Sequence, residues 1–343
     1  MKKLFLLALI LIIFTFLAVC LISGCGSGGG SSSPSSSPTP SPTATASPTP
    51  TPTPTQAAMY VFERKWGSKG SDNGQFEYPY GITSDSSGNI YVADRFNHRI
   101  QKFSSSGKFL LKWGSGGSGN GSFWSPYDVA VNTDGSVVVA DTDNHRIQVF
   151  TSKGVFLYKF GTQGSGNGLF LQPSGVTTDL SGNIYVTDKA LYRVQKFDRY
   201  GTFITKWGVS GSDNGQFKYP FGVASNSSGE VFVADRFNHT VQKFNSMGVF
   251  IKKIGGNGAT DGKFNEPRGV ESDRSSGNLF IADSLNYRVQ KFSPSEVFQT
   301  KWGDYGTGNA QFNDPYGICT DQQGNVYVSD TSNHRIQKFR YVH

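Results

Sequence analysis

The chain has 343 residues, a formal charge of +7, 42 glycines, 14% aromatics and three cysteines. Cys20 and Cys25 sit in or beside an apolar leader, so Cys319 stands alone in the remainder; a disulfide-stapled fold is excluded and the core has to hold by packing. Loss of Lys2 and Lys3 with the leader would leave 7 − 2 = +5, and eleven lysines recur at two evenly spaced positions, which predicts a solvated belt and not a nucleic-acid groove.

Met1-Lys2-Lys3 precede an apolar run from Leu4 to Ile22, the layout of an export signal. The run ends in Ile22-Ser23-Gly24-Cys25, which resembles the bacterial lipobox. The resemblance implies a lipoprotein signal peptide over residues 1–24 and a lipidated Cys25 as the mature N-terminus, with several acyl chains to hold it in the membrane. The alternative is an uncleaved N-terminal helix, since an apolar run of this length approaches a membrane span. Either arrangement predicts an exported, cell-envelope protein facing the periplasm or the cell exterior. Residues 25–58 are Gly/Ser, then Ser/Pro, then alternating Thr-Pro. Such a stretch has nothing apolar to bury and reads as an extended tether, reaching on the order of 80–100 Å at about 3.1 Å per residue.

From residue 59 to 343 one pattern recurs. Asp94, Asp141, Asp188, Asp235, Asp283 and Asp330 are spaced by 47, 47, 47, 48 and 47 residues, and a period of this size means a repeat architecture. Pro79 opens one unit, and Pro-Tyr-Gly-Ile-Thr-Ser reads as a first short strand. Ser86–Asn89 is a turn; Ile90–Ala93 is a β-branched and aromatic strand. Asp94–His98 turns the chain into a third strand, Arg99–Phe103; Ser104–Gly107 leads to a fourth, Lys108–Trp113. Four short antiparallel strands per unit, without helical periodicity, predict the blade of an all-β propeller.

Pro79, Pro126, Pro173, Pro220, Pro267 and Pro315 open six such units, but the sixth ends after three strands. The chain compensates at its other end, where Tyr60–Trp66 is an unattached fourth strand. The expected fold is therefore a six-bladed β-propeller of four-stranded antiparallel blades, closed by the N-terminal strand joining the last blade and leaving no open seam.

The repeated P-x-G, G-N-(I/V/L)-(Y/F)-V-(A/T/S)-D, N-H-R-(I/V)-Q-K-F and K-W-G segments resemble the NHL repeat over residues 60–340. The third unit departs at Leu191-Tyr192-Arg193, the fourth at Thr240 and the fifth at Tyr287. The resemblance implies a propeller that acts as a ligand-binding or protein-interaction scaffold. Its relatives also include peptide-amidating lyase, and other propellers include lactonases and streptogramin lyase, so an enzyme using the channel mouth is the alternative function. RNA binding is known among cytoplasmic members, a location that the leader argues against.

His98, His145, His239 and His334 occupy one repeat position and are expected to brace their own turns, since symmetric copies lie too far apart to share a metal. The repeat aspartates read as turn acceptors for the same reason. No metal, cofactor or catalytic set is implied. The residue after each opening proline varies while the frame stays constant: Tyr80, Tyr127, Ser174, Phe221, Arg268 and Tyr316. These are expected to ring one mouth of the central channel and to grip a sugar, peptide or aromatic group. The second turn varies too, as Arg95-Phe96, Thr142-Asp143, Ala190-Leu191, Arg236-Phe237, Ser284-Leu285 and Thr331-Ser332. Arg95, Phe96, Arg236 and Phe237 form the expected face turns. The implied partners are the membrane and an extracytoplasmic protein, peptide or glycan, bound by a monomer.

Overall fold

The computed structural model describes residues 60–342. The expected signal peptide, lipidated Cys25 and tether lie outside the described residues. Six four-stranded antiparallel sheets follow one another along the chain. Blade 1 is Pro79–Ser84, Ile90–Asp94, Arg99–Phe103 and Phe109–Trp113, in that order from the inside out. Blades 2 to 5 repeat it, with inner strands Pro126–Val131, Pro173–Thr178, Pro220–Ser225 and Pro267–Ser272. Blade 6 is Pro315–Thr320, Val326–Asp330 and Arg335–Tyr341, and its outer strand is Tyr60–Trp66. Tyr60 faces Tyr341, Phe62 faces Phe339 and Trp66 faces Ile336. The ring closes as the sequence predicts.

Each connector drives one phenylalanine fully into the core: Phe76, Phe123, Phe170, Phe217, Phe264 and Phe312. Each of these rings packs at 5.4–5.8 Å from the last phenylalanine of its third strand, as Phe76 does against Phe103. Second strands are buried along their whole length, which is why they read as unbroken β-branched and aromatic runs. Outer strands alternate half-buried and exposed residues, the pattern of a sheet with one wet face.

The repeat signature is a buried polar network that holds the connector. Asp94 accepts from the Glu77 N–H at 2.8 Å, from Asn97, from Arg99 Nε at 2.7 Å and from Gln101 Nε2. The rest of the Arg99 guanidinium donates to the carbonyls of Ser71, Asp72 and Gln75, and Gln101 takes the Gly74 N–H. Blades 2, 5 and 6 repeat the Asp–Arg pair. Burial pushes these carboxyls upward, against hydrogen bonds that pull them down. Blade 3 lacks the asparagine. There Asp188 turns to the N–H groups of Leu171, Gln172, Ala190 and Leu191, and Arg193 Nε is left without a partner.

Two expectations are corrected. The histidines do not brace their own turns. They sit at φ of 53–56°, the left-handed region that histidine tolerates, and reach into the next blade. His98, His239 and His334 accept at Nδ1 from the N–H of Ser125, Glu266 and Tyr78, and His145 Nδ1 meets the Leu171 carbonyl. They are inter-blade staples. Nor are all the repeat lysines a solvated belt. Lys196, Lys243, Lys291 and Lys338 of the third strands are buried, with their ammonium groups 5.1–5.6 Å from the rings of Tyr185, Phe232, Tyr60 and Tyr327.

Candidate functional site: the two ends of the channel

The inner strands crowd the axis. A Cβ on Gly175, Gly222 or Gly269 would collide with the carbonyl of Phe221, Arg268 or Tyr316 in the next blade, which explains the glycine of P-x-G. Blade 2 has Asp128 instead. Its carboxylate accepts from the N–H groups of Val129 and Val176 inside the channel. Burial pushes it up to about 7.

The six residues after the opening prolines do meet at one end, and they fill it. Tyr80 stacks on Tyr316 at 4.0 Å and meets Tyr127 edge-on at 5.1 Å. Phe221 meets Tyr316 edge-on at 5.0 Å and lies 6.1 Å from Tyr127. Ser174 is buried and hydrogen-bonds Thr187 and the Pro220 carbonyl, and Arg268 pairs with Asp314. Where an open mouth was expected, the aromatics form a plug. At a six-fold axis, large rings reach one another before they leave a passage.

Three face turns aim cations at this plug. Arg95 donates to the Tyr80 hydroxyl at 2.6 Å and lies over the rings of Phe96 and Tyr127. Arg236 pairs with Glu266 at 2.5 Å and lies over Phe237. The third is Lys189, with its Nζ 3.6 Å from the Tyr127 centroid. Sequence reading passed over Lys189 because it paired Ala190 with Leu191; the signal was its place directly after the repeat aspartate, matching Arg95 and Arg236. In the other three blades the same position carries a hydroxyl. Thr142, Ser284 and Thr331 each donate at 2.6 Å to the carbonyl of the next blade's opening proline.

Beneath the plug the channel holds a cavity of about 60 Å³ between Asp128, Phe221, Glu271 and Tyr316. It widens toward the opposite end into a funnel of about 640 Å³. That volume is in the range of ligand pockets, and none of the six plug residues lines it. Hydroxyls circle its throat. Ser84, Thr178 and Ser225 each donate to the carbonyl of the preceding blade, Thr320, Val131 and Thr178.

Blade 2 has Val131 at this position, and blade 5 breaks the circle with polar groups. Ser272 Oγ is buried with no partner. Thr320 donates to Glu271 at 3.2 Å, and burial pushes Glu271 up to about 7 despite the opposing field of Arg274. Arg274 occupies the extra residue of the 48-residue interval and donates across the funnel to the Thr178 carbonyl. Asymmetric polar groups at the throat of a large cavity can orient a polar ligand; the symmetric hydroxyls cannot. Among the described residues no group of three or more His, Cys, Asp or Glu is placed to hold a metal.

Comparison with known proteins agrees with this geometry. The NHL repeat model matches residues 76–103, 123–150, 217–244, 264–292 and 312–339. It passes over the third unit, where Leu191 and Tyr192 replace the asparagine and histidine. No curated protein sequence matches the chain. Among solved structures, a structural genomics protein of unknown function from Bacteroides thetaiotaomicron is similar at a TM-score of 0.65 and 20% identity, over 80% of this chain and 74% of that one. Virginiamycin B lyase from Staphylococcus aureus is similar at 0.56 and 14%, over 82% and 100%. A gluconolactonase from Xanthomonas campestris is similar at 0.57 and 13%, over 78% and 86%. At these identities the likeness is one of fold alone. The chain folds as a six-bladed β-propeller, and the NHL repeat model matches five of its six blades.

Proposed function

We propose that this protein is an exported binding propeller, anchored through Cys25, held away from the membrane by residues 25–58, and built to take a small polar ligand into the funnel. The observation that carries the reading is the break at blade 5. Glu271, Ser272 and Arg274 give one side of an otherwise repetitive throat a carboxylate, a hydroxyl without a partner and a guanidinium. A scaffold that only filled space would have no use for an extra residue whose side chain crosses the channel.

The funnel is lined by hydroxyl, amide and carboxylate groups without an aromatic ring. That lining favours a hydrogen-bonding ligand, a sugar or short peptide, over an apolar one. The test uses the full chain in detergent micelles against soluble glycan and peptide libraries. A hit that weakens about tenfold or more in Arg274→Ala and Glu271→Gln supports the reading. Binding that ignores both substitutions, or no binding at all, overturns it. The anchor is tested separately, by loss of acyl-chain incorporation in Cys25→Ala.

A further inference from the structure

The plugged face holds an imbalance of charge that the fold does not require. Four cations surround the aromatic plug: Arg95, Lys189, Arg236 and Arg268. Glu266 pairs with Arg236 and Asp314 pairs with Arg268. Among the described residues, Arg95 and Lys189 have no carboxylate within ion-pair distance. Both lie over the ring of Tyr127, at 4.4 and 3.6 Å from its centroid.

Lys189 is 3% exposed, and among the described residues its ammonium makes no hydrogen bond or ion pair. Three donors in a buried setting with only π faces nearby are poorly compensated. The ammonium is still not sealed in. The enclosed, partnerless polar atoms of these cations are Arg95 Nε and Arg268 Nε, not Lys189 Nζ. The carboxylates near Lys189 do not answer it. Asp188 is occupied by four backbone N–H groups, and Asp143 stays exposed on the neighbouring turn.

We propose that Arg95 and Lys189 form a binding site for an oxyanion, a carboxylate or phosphate group on a small ligand, over the Tyr127 ring. The site is independent of the funnel and lies at the other end of the channel. An oxyanion there takes donors from Lys189 and the free edge of Arg95, and the surrounding rings exclude water from the pair. Burial, then the fields of Arg95 and Arg236, push Lys189 down to about 7, with Asp143 and Asp188 opposing. The rings of Tyr127, Tyr219 and Phe221 complete its surroundings. A bound anion favours the charged amine, so binding tightens as pH falls from 8 to 6.

The test is acylation footprinting of Lys189 in the full chain in detergent micelles, read by peptide mass. Inorganic phosphate and benzoate are the probes, with chloride at matched ionic strength as the control. Slower acylation of Lys189 with phosphate, with benzoate or with both supports the site and tells the two sources apart. Arg95→Gln is expected to weaken that protection about tenfold, while slow acylation of the buried Lys291 reports an intact fold. Lys189→Met is expected to abolish the heat of probe binding and to leave a funnel ligand unaffected. Unchanged Lys189 acylation with both probes, equal protection by chloride, or full protection retained in Arg95→Gln overturns the proposal.

Discussion

His334 Nδ1 accepts a hydrogen bond from the backbone N–H of Tyr78 at 3.2 Å, and the two rings meet edge-on at 4.7 Å. The residues are 256 positions apart and join the last blade to the first. This bond exists only while the imidazole is neutral at Nδ1.

Acid should therefore loosen the seam. Burial holds His334 below its ordinary value, with Lys69 adding to the effect and Glu77 opposing it. The unfolded chain takes up this proton more readily than the folded one. The stabilising contribution is present above about pH 6.5 and is lost as pH falls through the folded value. His334→Phe lacks the bond at every pH. The stability difference between wild type and His334→Phe should be about 1 kcal/mol at pH 7.5 and shrink by pH 5. A difference that stays flat across that range would remove His334 from the account of acid sensitivity.

Glu271 carries the opposite sign. Its folded value lies near 7, raised by burial above the 4.5 of a free side chain. The folded state thus holds a proton that the unfolded state gives up. The contribution to stability is full below about 4.5 and is lost as pH rises through 7. At pH 8 the ionised group is a cost, and Glu271→Gln should stabilise the protein by about 1–2 kcal/mol, discounted for water in the funnel. At pH 5 the two proteins should melt together. Equal melting temperatures at pH 8 would show that Arg274 already neutralises the site.

Tyr60 tests the closure from the packing side. Its ring stacks on Trp302 at 4.8 Å and meets Phe280 edge-on at 5.6 Å, so the N-terminal strand is keyed into blade 5 as well as paired to blade 6. Tyr60→Ala should cost about 3–5 kcal/mol in reversible denaturation. Tyr200, which is 74% exposed, is the control and should cost little. A Tyr60→Ala loss no larger than that of Tyr200→Ala would mean that backbone pairing alone keeps the ring shut.

The blades, their number and the seam were legible because they rest on local pattern: a proline at each opening, β-branched second strands, an orphan strand at the start of the count and a unit one strand short at its end. What lay between blades was not. The histidine position was plain, but its acceptor role toward the next connector depends on how closely two sheets approach. The residues after the prolines were expected together at one mouth, yet side chains converging on a point become a plug, and side-chain size at convergence is a three-dimensional quantity. The 48-residue interval shows one extra residue in the fifth unit without singling out Arg274. Nothing in the interval says that the extra side chain turns inward across a funnel. Lys189 was hidden by a one-residue misalignment in the unit whose asparagine and histidine are replaced.

Thr240 offers a gain-of-stability test of the polar network. Blade 4 has this threonine where four other blades have an arginine paired to the repeat aspartate, and Thr240 Oγ1 is buried without a partner. Its connector, Gly211-Ser212-Asp213-Asn214-Gly215-Gln216, repeats that of blade 1 residue for residue, Gly70-Ser71-Asp72-Asn73-Gly74-Gln75. The carbonyls that receive Arg99 in blade 1 therefore have counterparts in Ser212, Asp213 and Gln216. At present Lys253 Nζ takes only the Ser212 carbonyl, at 2.9 Å. Asp235 accepts from Lys218, Tyr219 and Asn238 but from no guanidinium. Thr240→Arg should place a guanidinium against Asp235 and these carbonyls and stabilise the protein by about 1–2 kcal/mol. Thr240→Leu fills part of the space without the donors and should gain less. If leucine matches arginine in melting temperature, the network contributes packing and little else, and the recurring Asp–Arg pair would need another explanation.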